Sequence, residues 1–273
     1  MEEVSIFGGT GFVGGYYLEK YKKSSILIER ESRIPLSGDV LYLISTTHNY
    51  HVFEDVHKDI DTNLTILVDV LKNLEPGKSC FNFVSSWFVY GETDLPAHEQ
   101  SVCNPKGFYS ITKRAAEQLV VSYCETFKID YRILRLCNVY GSGDIGVSKK
   151  KNALQFLINK IKNCEEIDLY HNGQFFRDYM HVKDVVDAVN LVITKGEKNK
   201  VFNIGSGTKV LFKDLIDIIF EETESTSRIN VIDPPDFHKT VQVKDFFMSV
   251  DELKSLGFSQ KIKLEEGIKE LCR

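Results

Sequence analysis

The sequence predicts an α/β fold: a doubly wound parallel sheet with a smaller C-terminal domain interleaved with it. Three observations predict it. In the first half, short apolar runs alternate with helix-favouring stretches, the pattern of strands buried between helices on both faces. A glycine-rich stretch, GGTGFVG over residues 8–14, joins the first apolar run to the first helical one. After Gly141 the alternation gives way to a loop, followed by shorter helices and strands. At 273 residues, 42% of them hydrophobic, the chain can hold one large domain or two unequal ones.

The elements follow in order. Strands are expected at Val4–Phe7, Ile26–Ile28, Val40–Ser45, Cys80–Val84 and Tyr131–Leu136, and helices at Gly11–Tyr21, Val52–Leu74 and Tyr109–Phe127. Between the first strand and helix, glycines permit a tight turn whose backbone N–H groups approach a pyrophosphate at the helix N-terminus. That places Gly8, Thr10, Gly11, Phe12, Val13 and Gly14 against a dinucleotide. Glu29 ends the second strand, where an acid accepts the adenosine ribose hydroxyls and favours NAD. Arg30 beside it can fork onto a 2′-phosphate and favours NADP. The two pull opposite ways, with the balance towards NAD because Glu29 directly ends the apolar run. The next ten residues, Arg30–Asp39, cannot hold a helical crossover. They can hold an extended return, since ten residues reach roughly 33 Å and a five-residue strand spans roughly 17 Å. The fold is therefore shortened between the second strand and the next, and the adenine side of the pocket is expected to be cut down. After Gly141 come a helix at Ala153–Asn163, a strand at Ile167–Tyr170, a helix at Val182–Ile193 and a strand at Val201–Ile204.

Candidate chemistry centres on residues 83–113. Tyr109 and Lys113, four apart on a helix, share one face. An ammonium held near the phenol is expected to lower the tyrosine pKa towards neutrality. Such a tyrosine exchanges a proton with a hydroxyl while hydride leaves or reaches the carbon. Ser86, at the end of the fourth apolar run, can bond the same oxygen, and Ser45 follows the third strand. The net charge of −5 argues against nucleic acid as a partner. No apolar run approaches the ~18 residues of a membrane span. The six cysteines are scattered without metal-ligand spacing, so no metal is expected and a reducing cytoplasm fits best. His48, His51 and His57 lack zinc spacing too and read as a surface loop.

The motifs GGTGFVG (8–14), GDVLYLIST (38–46), SSWFVYG (85–91), YSITK (109–113), RLCNVYG (135–141), RDYMHVKDVVDA (177–188) and FNIGSG (202–207) come in an order that carries a resemblance. The chain resembles the extended short-chain dehydrogenases/reductases of the NAD(P)-dependent nucleotide-sugar epimerase/dehydratase/reductase family. The resemblance implies a Rossmann-type dinucleotide-binding domain of residues 1–140 plus about 178–204. It implies a nucleotide-sugar-binding domain of about 141–177 plus 205–273, and a homodimer. Tyr109 would be the general acid/base, Lys113 its electrostatic partner and cofactor ribose ligand, and Ser86 the hydroxyl holding the substrate oxygen. Ser45 would lie along the cofactor, and Asn63 would brace the site from its helix, the alternative being a solvated helix asparagine. Asn138 and Arg177 would grip the sugar diphosphate, the alternative for Arg177 being a salt bridge to Asp178 or Asp184. His238 and Lys239 stand near where the family has another diphosphate-binding arginine. The lysine run at 149–151 is a solvated surface or attracts the anionic nucleotide. Family dehydratases carry an Asp-Glu pair where this chain has Trp87 and Phe88, which transfer no protons. Trp87 walls the sugar pocket or belongs to the core. What remains is hydride transfer at a sugar carbon, most often C4. The cut-down adenine side weakens cofactor retention and tilts the reading to reduction of a 4-keto nucleotide sugar. The alternatives are a 4-epimerase with tightly held NAD and, less favoured, a non-catalytic NAD(P) sensor.

Overall fold

The computed structural model of the chain describes residues 3–144, 148 and 151–273. In chain order the first half comprises β1 (Val4–Phe7), α1 (Phe12–Lys20), β2 (Ser25–Leu27), β3 (Asp39–Tyr42), α2 (Lys58–Ile60), α3 (Ile66–Leu71), β4 (Cys80–Ser86), α4 (Phe108–Phe127), β5 (Asp130–Leu136) and β6 (Asn138–Tyr140). There follow α5 (Ala153–Lys162), β7 (Ile167–Tyr170), β8 (Phe176–Arg177), β9 (Tyr179–His181), α6 (Val182–Lys195) and β10 (Lys200–Ile204). The chain closes with β11 (Val210–Leu211), α7 (Phe212–Thr223), β12 (Ile229–Ile232), α8 (Asp236–Val241), α9 (Asp251–Ser255) and α10 (Leu264–Cys272).

The main sheet has six strands in the order β10-β5-β4-β3-β1-β2, and every pairing in it is parallel. Its central strands read as apolar runs because helices cover both faces. Successive side chains point to opposite faces. Ile6, Leu41 and Leu134 thus meet Tyr17 of α1 and Val185 and Val189 of α6 on one face. Phe7, Val40, Phe81 and Ile133 meet Leu67 and Val70 of α3 and Ala116 and Val120 of α4 on the other. A third cluster joins Leu157 and Ile161 of α5, Leu169 of β7, Leu215 and Ile219 of α7 and Ile268 of α10. Among the described residues, no helix is long and apolar enough to cross a membrane.

Two expected elements differ in detail. The strand expected at Val40–Ser45 ends at Tyr42, after which only the Leu43 N–H still bonds to Phe7 O. The helix expected from Val52 begins as a 3₁₀ turn at Asn49–Phe53, and regular helix starts at Lys58. Local side-chain bonds compete with helix there. His48 Nδ1 accepts the Tyr50 N–H, and Asp55 Oδ1 accepts the His57 N–H. The same helix carries a π turn at Asp61–Thr65 between α2 and α3.

Between β2 and β3 the chain runs through Ile28–Gly38 without a helix. β2 is the edge strand and β3 lies beyond β1, so this return crosses β1. Ser5 Oγ, in mid-strand, accepts the N–H groups of Leu36 and Ser37 at 2.9 Å and holds the return against the sheet.

Candidate active site

The carboxyl ends of β1, β3, β4 and β5 open onto a cavity of about 720 Å³, where open α/β sheets place their ligands. At its β1 end lies the glycine turn. The Gly11 N–H donates to Gly8 O at 3.1 Å, and Gly8 takes φ +79°. A Cβ on Gly14 would stand 2.5 Å from Gly8 O and 2.7 Å from Gly9 Cα, so only glycine lets α1 pack this close to the strand. Gly11 caps α1 without a side-chain acceptor, which leaves the first N–H groups of the helix for an anion. Gly8, Gly11, Phe12, Val13 and Gly14 line the cavity, whereas Thr10 is exposed and does not. The turn fits a dinucleotide pyrophosphate.

Ser86 ends β4, and Tyr109 and Lys113 lie on the first turns of α4. That helix start is fixed from two sides. Ser110 Oγ accepts the Gly107 N–H at 3.0 Å, and Asn49 Oδ1 accepts the Ser110 N–H at 3.3 Å. Tyr109 is buried, its ring edge-on to Phe88 at 5.9 Å, and it lines the cavity with Ser86 and Ser45. Lys113 Nζ donates to Val84 O at 2.7 Å and sits 4.2 Å over the Phe83 ring.

The expected lowering of the tyrosine by the lysine is not what this arrangement produces. Burial raises the Tyr109 phenol, and the neighbouring Ser86 and Ser45 hydroxyls oppose this without reversing it. Burial also pushes Lys113 down, to about 7. In both groups loss of solvent disfavours the charged form.

Behind Tyr109 stands a polar network that the sequence pattern did not reveal in full. Asn63, inside the π turn, accepts from Ser45 Oγ at 3.1 Å and Thr46 N at 2.9 Å. Its Nδ2 donates to Thr46 Oγ1 and Thr112 Oγ1, each at 2.9 Å. Thr46 Oγ1 donates in turn to Asp59 Oδ1, which lies 3.3 Å from His51 Nδ1. His51 and Asp59 are buried, so the expected surface loop of histidines is corrected for His51. No periodicity marks this pair: His51 lies in the 3₁₀ turn and Asp59 in α2, and both segments pack against α4.

On the opposite wall, Trp87 is stacked between Phe88 at 4.0 Å and Phe246 at 4.6 Å, serving as core residue and cavity wall together. Arg177 lines the cavity and rests over Trp87 at 5.4 Å and Phe175 at 4.9 Å. Its guanidinium donates to the carbonyls of Phe176, Val243 and Lys244. Neither alternative salt bridge forms. Asp178 accepts from Ser206 and Gly207, and Asp184 from the Lys261 and Ile262 N–H groups. Asn138 lines the cavity, its Nδ2 donating to Asp178 O at 3.0 Å.

Some expected residues stand apart. His238 lines the cavity with Nδ1 3.2 Å from Tyr50 Oη, but burial, helped by the charges of Arg177 and His171, pushes its pKa down to about 4. A neutral imidazole does not replace an arginine. Lys239 is exposed, 3.5 Å from Asp236 and outside the lining. Glu29 and Arg30 are likewise exposed and outside the lining. In the lysine run, Lys149 and Lys150 lie outside the described residues, while Lys151 lines the cavity and pairs with Asp144 at 2.6 Å. Among the described residues no cluster of His, Cys, Asp and Glu can hold a metal ion.

Known proteins place these features in a family. The "dTDP-4-dehydro-6-deoxyglucose reductase" of Escherichia coli is 28% identical over 94% of this chain and 80% of its own length. The "dTDP-D-glucose 4,6-dehydratase" of Mus musculus is 33% identical over 72% of this chain but only 55% of its own length. Among solved structures, epimerase Mth375 of Methanothermobacter thermautotrophicus shares the fold with a TM-score of 0.87. It is 20% identical, over 99% of this chain and 91% of that one. The family model described as "NAD dependent epimerase/dehydratase family" matches residues 38–205, starting at the end of the shortened return and taking in Ser86, Tyr109 and Lys113. With more than half its length matched, this chain belongs to the NAD dependent epimerase/dehydratase family.

Proposed function

We propose that the chain is an NAD(P)-dependent oxidoreductase that reduces the 4-keto group of a nucleotide-diphosphate sugar, with NAD the favoured cofactor. The observation that carries the reading is Tyr109, held as a neutral phenol at the cavity beside Ser86. A reductase needs a proton donor at the carbonyl oxygen, and a phenol whose pKa burial has raised stays protonated at neutral pH. Trp87 and Phe88 follow Ser86 directly and offer no acid or base for removing a second hydroxyl, which counts against dehydration. The Escherichia coli relative is, by its name, a reductase of this kind.

The bound dinucleotide would supply hydride to the sugar carbon. Gly8 and Gly11–Gly14 would hold its pyrophosphate, with Ser45 along it and Glu29 and Arg30 at the adenosine ribose. Ser86 Oγ would orient the carbonyl oxygen, and Tyr109 Oη would pass its proton to that oxygen as the alcohol forms. Lys113 would reach the cofactor ribose and help return the proton to Tyr109. Asn63 would brace Ser45 and Thr46. Arg177 uses three bonds to main-chain carbonyls and has five N–H donors, so it retains capacity for a diphosphate oxygen. Asn138 would assist it, and Trp87 would wall the sugar. Residues 1–140 plus about 178–204 would form the dinucleotide domain and about 141–177 plus 205–273 the sugar domain. Exposed Ile60, Val68, Ile111 and Leu119, on the packed helices α2 to α4, suit a homodimer.

A second reading, a 4-epimerase with tightly held NAD, draws on Lys113. A lysine with a pKa of about 7 can take up or release a proton near neutrality, as oxidation and return reduction require. Supplying NADH or NADPH with a panel of 4-keto nucleotide sugars tests the proposal, with product identified by mass and NMR. Stoichiometric consumption of reduced cofactor is expected. Interconversion of two C4 epimers without added cofactor would overturn it in favour of the epimerase.

A further inference from the structure

The cavity stops at the glycine turn. Its lining passes from Gly14 directly to Leu43, so among the described residues none of those between them takes part. The topology supplies the reason. β2 is the outermost strand, and the chain leaving it turns back at once across β1 to reach the amino edge of β3. Ser5 Oγ ties that return to the sheet through Leu36 and Ser37. At the carboxyl edge of β2 the chain makes only a tight turn. The Ser32 N–H donates to Glu29 O at 3.0 Å, and Arg33 Nη1 donates to Arg30 O at 2.7 Å. Glu29 and Arg30 are exposed there, and Ile34 beyond them is 61% exposed.

On the inner side of the turn, α1 packs closely on β2. Leu18 Cδ1 and Leu27 Cδ1 each come within 2.6 Å of where a Cβ on Gly9 would stand, filling the space between α1 and β2.

We infer that this chain grips its dinucleotide through the nicotinamide half and the pyrophosphate, leaving the adenine ring in solvent with only Glu29 and Arg30 at the adjoining ribose. This rests on the cofactor reading given above and concerns which part of the dinucleotide the chain reads. A buried slot discriminates between bases because a mismatched donor or acceptor is left unpaired. An exposed ring keeps its water, and changing its edge alters little.

Binding rather than turnover tests this. The full chain is titrated with NADH and with reduced nicotinamide hypoxanthine dinucleotide, in which the adenine amino group is replaced by a carbonyl, following nicotinamide fluorescence. The two dissociation constants should agree within about threefold. Iodide quenching of bound etheno-NAD provides the second measurement. The bound etheno ring should be quenched as readily as free etheno-AMP. Weakening beyond about threefold for the hypoxanthine analogue, or an etheno ring shielded from iodide, would overturn the inference and leave the cofactor reading intact. Absence of NADH binding would overturn both.

Discussion

Tyr109 and Lys113 show one physical cause acting on two charges. Burial holds the phenol protonated and weakens the ammonium, whose Nζ is steadied by the Val84 carbonyl. If Tyr109 Oη is the proton donor, Tyr109→Phe should lower turnover about 10²–10⁴-fold. Nucleotide-sugar affinity should hold, because the ring remains. Steady-state kinetics beside a direct binding titration would check both, and near-normal turnover would remove Tyr109 from its role. Lys113 also links stability to pH. Its folded pKa of about 7 lies below the ordinary 10.5, so between those values the unfolded chain binds more protons than the folded one. Stability therefore gains from this residue as pH rises through that window. Lys113→Met should remove that gain, so the variant's Tm should climb less than that of the natural chain across the same pH range. Parallel Tm profiles would show that Lys113 does not titrate in this way.

At the scale of elements, the site is held by helix starts. α1 begins on glycines that clear its path to β1, and α4 begins on the Asn49–Ser110–Gly107 bonds that set Tyr109 over Ser86. Gly14 is the tightest point of the α1 turn. Its neighbours are backbone atoms of Gly8 and Gly9, which cannot rotate aside as a side chain can. Gly14→Ala should cost about 1–3 kcal/mol by overpacking and weaken dinucleotide binding as the turn is pushed open. Urea unfolding with a parallel NADH titration would measure both, and a variant unchanged in each would contradict the close approach. The π turn at Asp61–Thr65 is a second device of this kind. An extra residue in the turn directs Asn63 at Ser45, Thr46 and Thr112, and such turns often occur at functional sites.

For the whole molecule, the sheet order decides how much of a dinucleotide can be enclosed. A six-stranded sheet ending at β2 leaves the adenosine side short of wall. A protein that must exchange cofactor in every cycle tolerates this, whereas one that must keep its cofactor through two half-reactions does not. Freshly purified protein should therefore lose its dinucleotide on dialysis, with little NAD or NADH in the denatured extract by mass spectrometry. Dinucleotide retained in equal amount to protein would favour the epimerase reading.

The amino-acid order alone determined what depends on near neighbours. The glycine turn, the Tyr109–Lys113 spacing and the alternation of strands and helices are all readable within a few residues. So was the shortened return, since ten residues are too few for a helical crossover. Tertiary structure alone decided what depends on distant partners and on loss of solvent. The direction of the Tyr109 shift, the neutral state of His238 and the burial of His51 against Asp59 belong here. So does the exposure of Glu29 and Arg30 outside the cavity. Local spacing brings two groups within reach, but the packing of remote segments around them sets the cost of their charge.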